Sequence, residues 1–156
     1  MKKIILLLSI GLLIISCSSE NSEEPQNIDL IVGEWKNLNL ELIYQNGITE
    51  TEEYPVHTLN NRIRFENNGN ITGIQYEVNG LGDISSIEFS GTWKKLSDDK
   101  YSYTLTAINN NQQTNTITPE SITFPNTNTM NRKFLNNGQL SYPNLEYFIE
   151  VSTRVE

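Results

Sequence analysis

Reactions at neutral pH need a nucleophile, a base or a metal ligand, and this chain carries few of them. It has one histidine, His57, and one cysteine, Cys17. His57 follows Glu-Glu-Tyr-Pro-Val, with no serine and aspartate placed to build a nucleophilic triad around it. It reads as a surface or hydrogen-bonded histidine. Zinc centres draw on cysteines or several histidines, which one of each does not supply. Two acid pairs stand out, Glu52-Glu53 and Asp98-Asp99. Neighbours on a strand point to opposite faces, so Glu52 and Glu53 do not meet one substrate together. Asp98 and Asp99 read as a turn, where aspartate bonds its own backbone. The segment ENNGN (66–70) lacks the ladder of acids and the closing glutamate of a calcium loop, and reads as a hairpin turn. The residues therefore predict no catalytic set, no metal and no cofactor. Two carboxylates brought together from distant strands, as in a glycosidase, stay open.

Cys17 has no second cysteine to pair with inside the chain. It ends an apolar run, Ile4 to Ile15, that follows Lys2-Lys3 and is interrupted only by Ser9 and Gly11. As a helix the run would reach about 18 Å at ~1.5 Å per residue, short of the roughly 30 Å bilayer core. A basic start, a short apolar middle and a small residue describe a signal peptide over 1–16, cut between Ser16 and Cys17. Ile14-Ile15-Ser16-Cys17 resembles a bacterial lipobox. The resemblance implies that Cys17 is acylated and becomes the mature N-terminus of an outer-membrane lipoprotein of the cell envelope, with the membrane as its partner. One acyl chain holds only marginally at about 0.8 kcal/mol per buried methylene, whereas a diacylglycerol with an N-acyl chain anchors stably. An ordinary signal peptide with a cysteine near the cut is the other reading.

The segment SSENSEEPQN (18–27) has no apolar residue and carries Glu20, Glu23 and Glu24. It cannot bury enough to fold and reads, with Cys17, as a tether over 17–27. Scattered acids after the lipidated cysteine also resemble the surface-export signal of Bacteroidetes-type lipoproteins, so the periplasmic and surface sides both stay open. The formal charge of −8 becomes −10 once Lys2 and Lys3 are removed. That balance argues against nucleic acid, whose phosphates need a basic patch.

The domain over 28–156 contains one alanine, Ala107, which weakens any helical reading. Apolar residues instead alternate. Tyr101, Tyr103, Leu105 and Ala107 share one parity, as do Leu38, Leu40, Leu42 and Tyr44. The same holds for Ile74, Tyr76 and Val78, for Ile87, Phe89 and Trp93, and for Leu145, Tyr147, Ile149, Val151 and Val155. Period two predicts half-buried strands. Asparagine–glycine pairs at 46–47, 68–69, 79–80 and 137–138 predict antiparallel hairpins, since both residue types tolerate positive φ. About eight strands result, near 33–45, 54–66, 71–78, 84–96, 100–108, 113–124, 129–136 and 145–155. An all-β fold whose strands each present one apolar face closes on itself or stacks in two sheets. Short turns favour an antiparallel up-and-down β-barrel.

GEWKNL (33–38) and GTWKKL (91–96) both read Gly-x-Trp-Lys-x-Leu. Gly33 and Gly91 read as bends and Trp35 as a core plug, with two equivalent ligand sites as the alternative. LIVGEWKNLNLEL, IRFENNGNITG and FSGTWKKLSDDKYSYTLT together resemble the lipocalin-like domains of Bacteroidetes lipoproteins. The likeness covers most of 30–108. It implies a small barrel with Trp35 packed across one end, and names no ligand. Later lipocalin blocks and a C-terminal helix are not visible.

Phe65, Tyr76, Phe89, Trp93, Tyr101, Tyr103 and Tyr147 fall on the parities read as inward. All but Phe65 are candidates to line a cup. A barrel of eight strands is filled by side chains or holds one small ligand. Two function classes follow, neither an enzyme. One is a membrane-anchored binding module for a small apolar ligand. The other is a surface-displayed protein–protein or glycan interaction module with a closed, packed barrel, for which the Asn/Thr-rich segment 109–131 would serve as a patch.

Overall fold

Prolines and asparagine–glycine turns divide the chain into short strands. The computed structural model describes residues 28–108, 114–138 and 140–156. The signal peptide, Cys17 and the tether lie outside the described residues. Ten strands form: β1 (Gly33–Tyr44), β2 (Thr49–Glu53), β3 (Arg62–Phe65), β4 (Asn70–Val78), β5 (Ile84–Ser97), β6 (Lys100–Ala107), β7 (Thr114–Ile117), β8 (Ser121–Asn126), β9 (Thr129–Leu135) and β10 (Leu145–Arg154). The helical content among the described residues is a single 3₁₀ turn, Thr58–Asn60.

Two of the expected strands break. The one placed at 54–66 shrinks to β3, because the Pro55 carbonyl accepts the amides of Thr58 and Leu59 and starts the 3₁₀ turn, and β2 forms ahead of it where no strand was expected. The one placed at 113–124 becomes β7 and β8. Buried Pro119 lies between them and has no N–H for a ladder.

Three hairpins use one turn design. The Gly47, Gly69 and Gly82 amides donate to the carbonyls of Tyr44, Glu66 and Asn79 at 2.8, 3.0 and 3.0 Å. Those glycines sit at φ of 80°, 85° and 88°, while Asn46 and Asn68 do not take positive φ. Instead the Asn46 and Asn68 side chains accept the amides of Ile48 and Asn70. This is a type I turn followed by a left-handed residue, so only the glycine needs the unusual φ. In the third turn that residue is Gly82 rather than Gly80.

The strands make one antiparallel sheet in the order β7-β6-β5-β4-β3-β1-β10-β9-β8. β2 pairs with β1 alongside β3, so the two short strands share one edge of β1. First and last strands thus pair, and the sheet is open between β7 and β8. The Ile122 amide of β8 still reaches the Asp99 carbonyl at the β5–β6 turn, at 2.8 Å, and Lys100 bonds Glu120. The all-β antiparallel expectation holds, with ten strands among the described residues rather than about eight, in a sheet that is not closed.

Two apolar clusters fill the concave side. The larger holds Ile31, Trp35, Ile63, Phe65, Ile71, Tyr101, Tyr103, Ile122 and Met130. The smaller holds Leu42, Leu145 and Phe148. A bulge between Asn37 and Asn39 shifts the parity of β1. Trp35 and Asn37 face inward before it, Leu40 and Leu42 after it, and Leu38 is exposed. On β10 Phe148 and Glu150 line the cavity, so Tyr147 and Ile149 face the other way, while Leu145 and Val151 of the expected parity are buried.

At one end the chain is fastened by Arg154. Its guanidinium donates to the carbonyls of Leu30, Val32 and Thr127 and lies 4.3 Å from the Trp35 ring. Gly33 leaves room for it, since a Cβ there would meet the guanidinium. Asp29 adds a second fastening, accepting from the Tyr101 hydroxyl at 2.7 Å and pairing with Lys95 at 2.9 Å. Partial burial works against the Asp29 charge, but these two donors outweigh it and hold the carboxyl below its ordinary range.

Candidate functional site

Between the two clusters lies a cavity of about 420 Å³. Its apolar wall comes from Ile63, Ile74, Phe89, Leu105, Phe134 and Phe148. Its polar wall comes from Asn37, Tyr54, Arg62, Tyr103, Arg132 and Glu150. The site is amphipathic, with charge concentrated where β9 and β10 pair.

Arg132 occupies an interior position on β9 between Met130 and Phe134, on the same parity, and pairs in register with Glu150. It is 7% exposed. Its guanidinium is 2.9 Å from the Glu150 carboxylate and donates to the Tyr103 hydroxyl at 3.3 Å and to Ser152 Oγ at 3.4 Å. Burial opposes the Arg132 charge, and the adjacent Glu150 more than restores it. Burial pushes the Tyr103 phenol up, so it stays a neutral hydroxyl despite Arg132. Tyr54 behaves likewise: burial and then the Glu150 charge hold its phenol protonated. Arg62 donates to the backbone carbonyls of Leu59 and Asn61, both at 2.9 Å, and so fixes the turn that brings Tyr54 and Thr58 to the cavity rim.

Of the six aromatic side chains expected to line a cup, Phe89 and Tyr103 do so. Tyr101 and Trp93 belong to the packed end instead. Tyr101 is buried, Trp93 packs beside it, and Phe65 stands edge-on to both Trp93 and Tyr103. Tyr76 does not line the cavity; it lies toward the far end of β4, its amide donating to the Asn61 side chain. Tyr147 lies on the opposite face of β10 from Phe148, with the Lys133 ammonium 3.8 Å from its ring centre. The hydroxyl donors and the buried ion pair, Tyr54, Arg132 and Glu150, are the functional candidates that alternation of apolar residues missed. The available signal was Met130 and Phe134 flanking Arg132 at period two.

The titratable residues weighed for catalysis do not gather. His57 precedes the 3₁₀ turn and does not line the cavity. Glu52 accepts from the Tyr142 hydroxyl at 2.6 Å, while Glu53 is exposed. Asp98 and Asp99 form the β5–β6 turn. Among the described residues no group of three histidine, cysteine, aspartate or glutamate side chains is placed to hold a metal ion.

No family model and no curated protein matches the chain. Among solved structures, a redesigned β-barrel is similar at 11% identity over 81% of this chain and 93% of that one, with a TM-score of 0.42.

Proposed function

We propose that this chain is a membrane-anchored lipoprotein of the cell envelope. Its β domain, a lipocalin-like barrel interrupted between β7 and β8, binds a small, largely apolar ligand without catalysis. The cavity of about 420 Å³ carries the reading. It falls within the roughly 300–1,000 Å³ of small-molecule sites, and an interior filled by its aromatic rings would not leave it. Burying ~200 Å² of apolar ligand contributes about 5 kcal/mol at ~25 cal/mol/Å², before the cost of association. Polar groups in the wall therefore decide the affinity. Anchorage rests on the Ile14-Ile15-Ser16-Cys17 sequence.

Intact mass of the protein from a membrane fraction tests the anchor. The mature chain should begin at Cys17 and carry acyl mass, and Cys17→Ser should leave it unprocessed or released. A mature form starting at another residue ends that part of the reading. Native mass after incubation with a lipid extract tests the cavity. Added ligand mass should appear, and Leu105→Trp, which sets an indole into the cavity, should remove it. A second reading rests on the β4–β5 hairpin tip, where Leu81 is 89% exposed beside exposed Val78 and Ile84. A cavity that takes up nothing would favour that tip as the contact of a protein- or glycan-interaction module.

A further inference from the structure

The wall of the cavity is richer in donors than its internal partners can use. Arginine has five N–H groups. Arg132 reaches three acceptors, Glu150, Tyr103 and Ser152, and its buried Nε–H has none among the described residues. The Tyr103 hydroxyl accepts from Arg132, and its own hydrogen finds no acceptor there. Tyr54 lines the same cavity and has a hydroxyl to offer a ligand. A buried donor left without an acceptor costs about 1–3 kcal/mol, more when charged. The charged groups of the polar wall that face each other are Arg132 and Glu150, while Arg62 is tied to backbone carbonyls and also lines a second groove with Glu34 and Glu88.

Resting on the ligand-binding reading above, we propose that the cavity takes an amphipathic monoanion: an apolar body against Phe89, Leu105, Phe134 and Phe148, and a carboxylate head at Arg132 and the hydroxyls of Tyr54 and Tyr103. Glu150 binds one side of the Arg132 guanidinium through a single oxygen. It orients the fork, and with Tyr103 and Ser152 also bonded the Nε–H and one Nη1–H remain for the ligand. A carboxylate accepts several N–H and O–H bonds at once, which an alcohol of equal length does not do.

The test is calorimetric titration of the full chain, held in an amphipathic polymer, with octanoate, 1-octanol and octylammonium. The same titrations on Arg132→Met/Glu150→Met subtract partition into the polymer. Removing both charges together avoids stranding a half-buried Glu150 or a buried Arg132. Octanoate should bind the native chain at least about tenfold more tightly than octanol, as a charged hydrogen bond implies. The double variant should keep octanol and lose that preference. Tyr54→Phe should weaken octanoate several-fold and leave octanol unchanged. Equal binding of octanoate and octanol, tightest binding of octylammonium, or a preference that survives the double variant would each overturn the proposal while leaving a ligand cavity in place. Failure of all three probes would overturn it together with the ligand-binding reading.

Discussion

Trp35→Ala should destabilise the domain by about 3–5 kcal/mol, the range for large aromatic truncations in cores. Trp35 is completely buried, between Phe124 at a ring distance of 5.9 Å and the Arg154 guanidinium at 4.3 Å. Its indole N–H donates to the Ile31 carbonyl at 2.8 Å. The truncation therefore opens a cavity, strands a buried acceptor and removes the surface on which Arg154 lies. Arg154 in turn holds Leu30 and Val32, so the entry segment 28–32 should loosen as well. Trp93 is the internal control. It belongs to the other Gly-x-Trp-Lys-x-Leu sequence and its indole bonds the Glu66 carbonyl at 2.8 Å, but it is only half-buried. Trp93→Ala should cost clearly less. Urea denaturation followed by far-ultraviolet circular dichroism measures both. Equal costs, or a larger one for Trp93, would show that Trp35 does not anchor the core.

Much of this architecture is legible in short-range patterns. Alternation placed Tyr101, Tyr103 and Leu105 on one face of β6, where they do face the core. The asparagine–glycine pairs mark hairpins because glycine at a left-handed position is locally decided. What escaped depends on groups distant in sequence. The Asn37–Asn39 bulge inverts parity within β1, and nothing in NLNLEL distinguishes a bulge from regular alternation. The β10 sequence LEYFIEVSTR has apolar residues on both parities, so alternation alone does not choose a face. Its register with Arg132 on β9 and Leu42 on β1 does. The cavity is a product of that choice. Glu150 reads as a solvent-facing acid until Arg132 is placed opposite it, and a buried ion pair survives only where each charge meets the other. The aromatic residues were visible as a set. Their division into a packed end around Trp93 and Tyr101 and a cavity wall at Phe89 and Tyr103 follows from strand pairing.

Gly91→Ala should cost about 3 kcal/mol, the upper end of overpacking. Gly91 lies in the interior of β5, where glycine ordinarily weakens a strand, and marks instead a close approach of two backbones. A Cβ there would run into the Thr104 carbonyl of β6, with the Leu105 Cα behind it at 3.2 Å. Both obstacles are backbone, so no rotamer change relieves the clash; β5 and β6 must separate. That separation breaks pairing next to Thr92 and Thr104 and moves Phe89 and Leu105, two residues of the cavity wall. Stability and ligand uptake should therefore fall together. Gly80→Ala supplies the comparison. No atom lies within 4 Å of a Cβ at Gly80, and its backbone is not left-handed, so its effect should stay within about 0.5 kcal/mol. Denaturation midpoints of the two variants, with amide exchange across β6 as the local readout, decide the matter. If Gly91→Ala leaves the exchange of Ser102 to Thr106 unchanged, the close approach of β5 to β6 is not what requires glycine there.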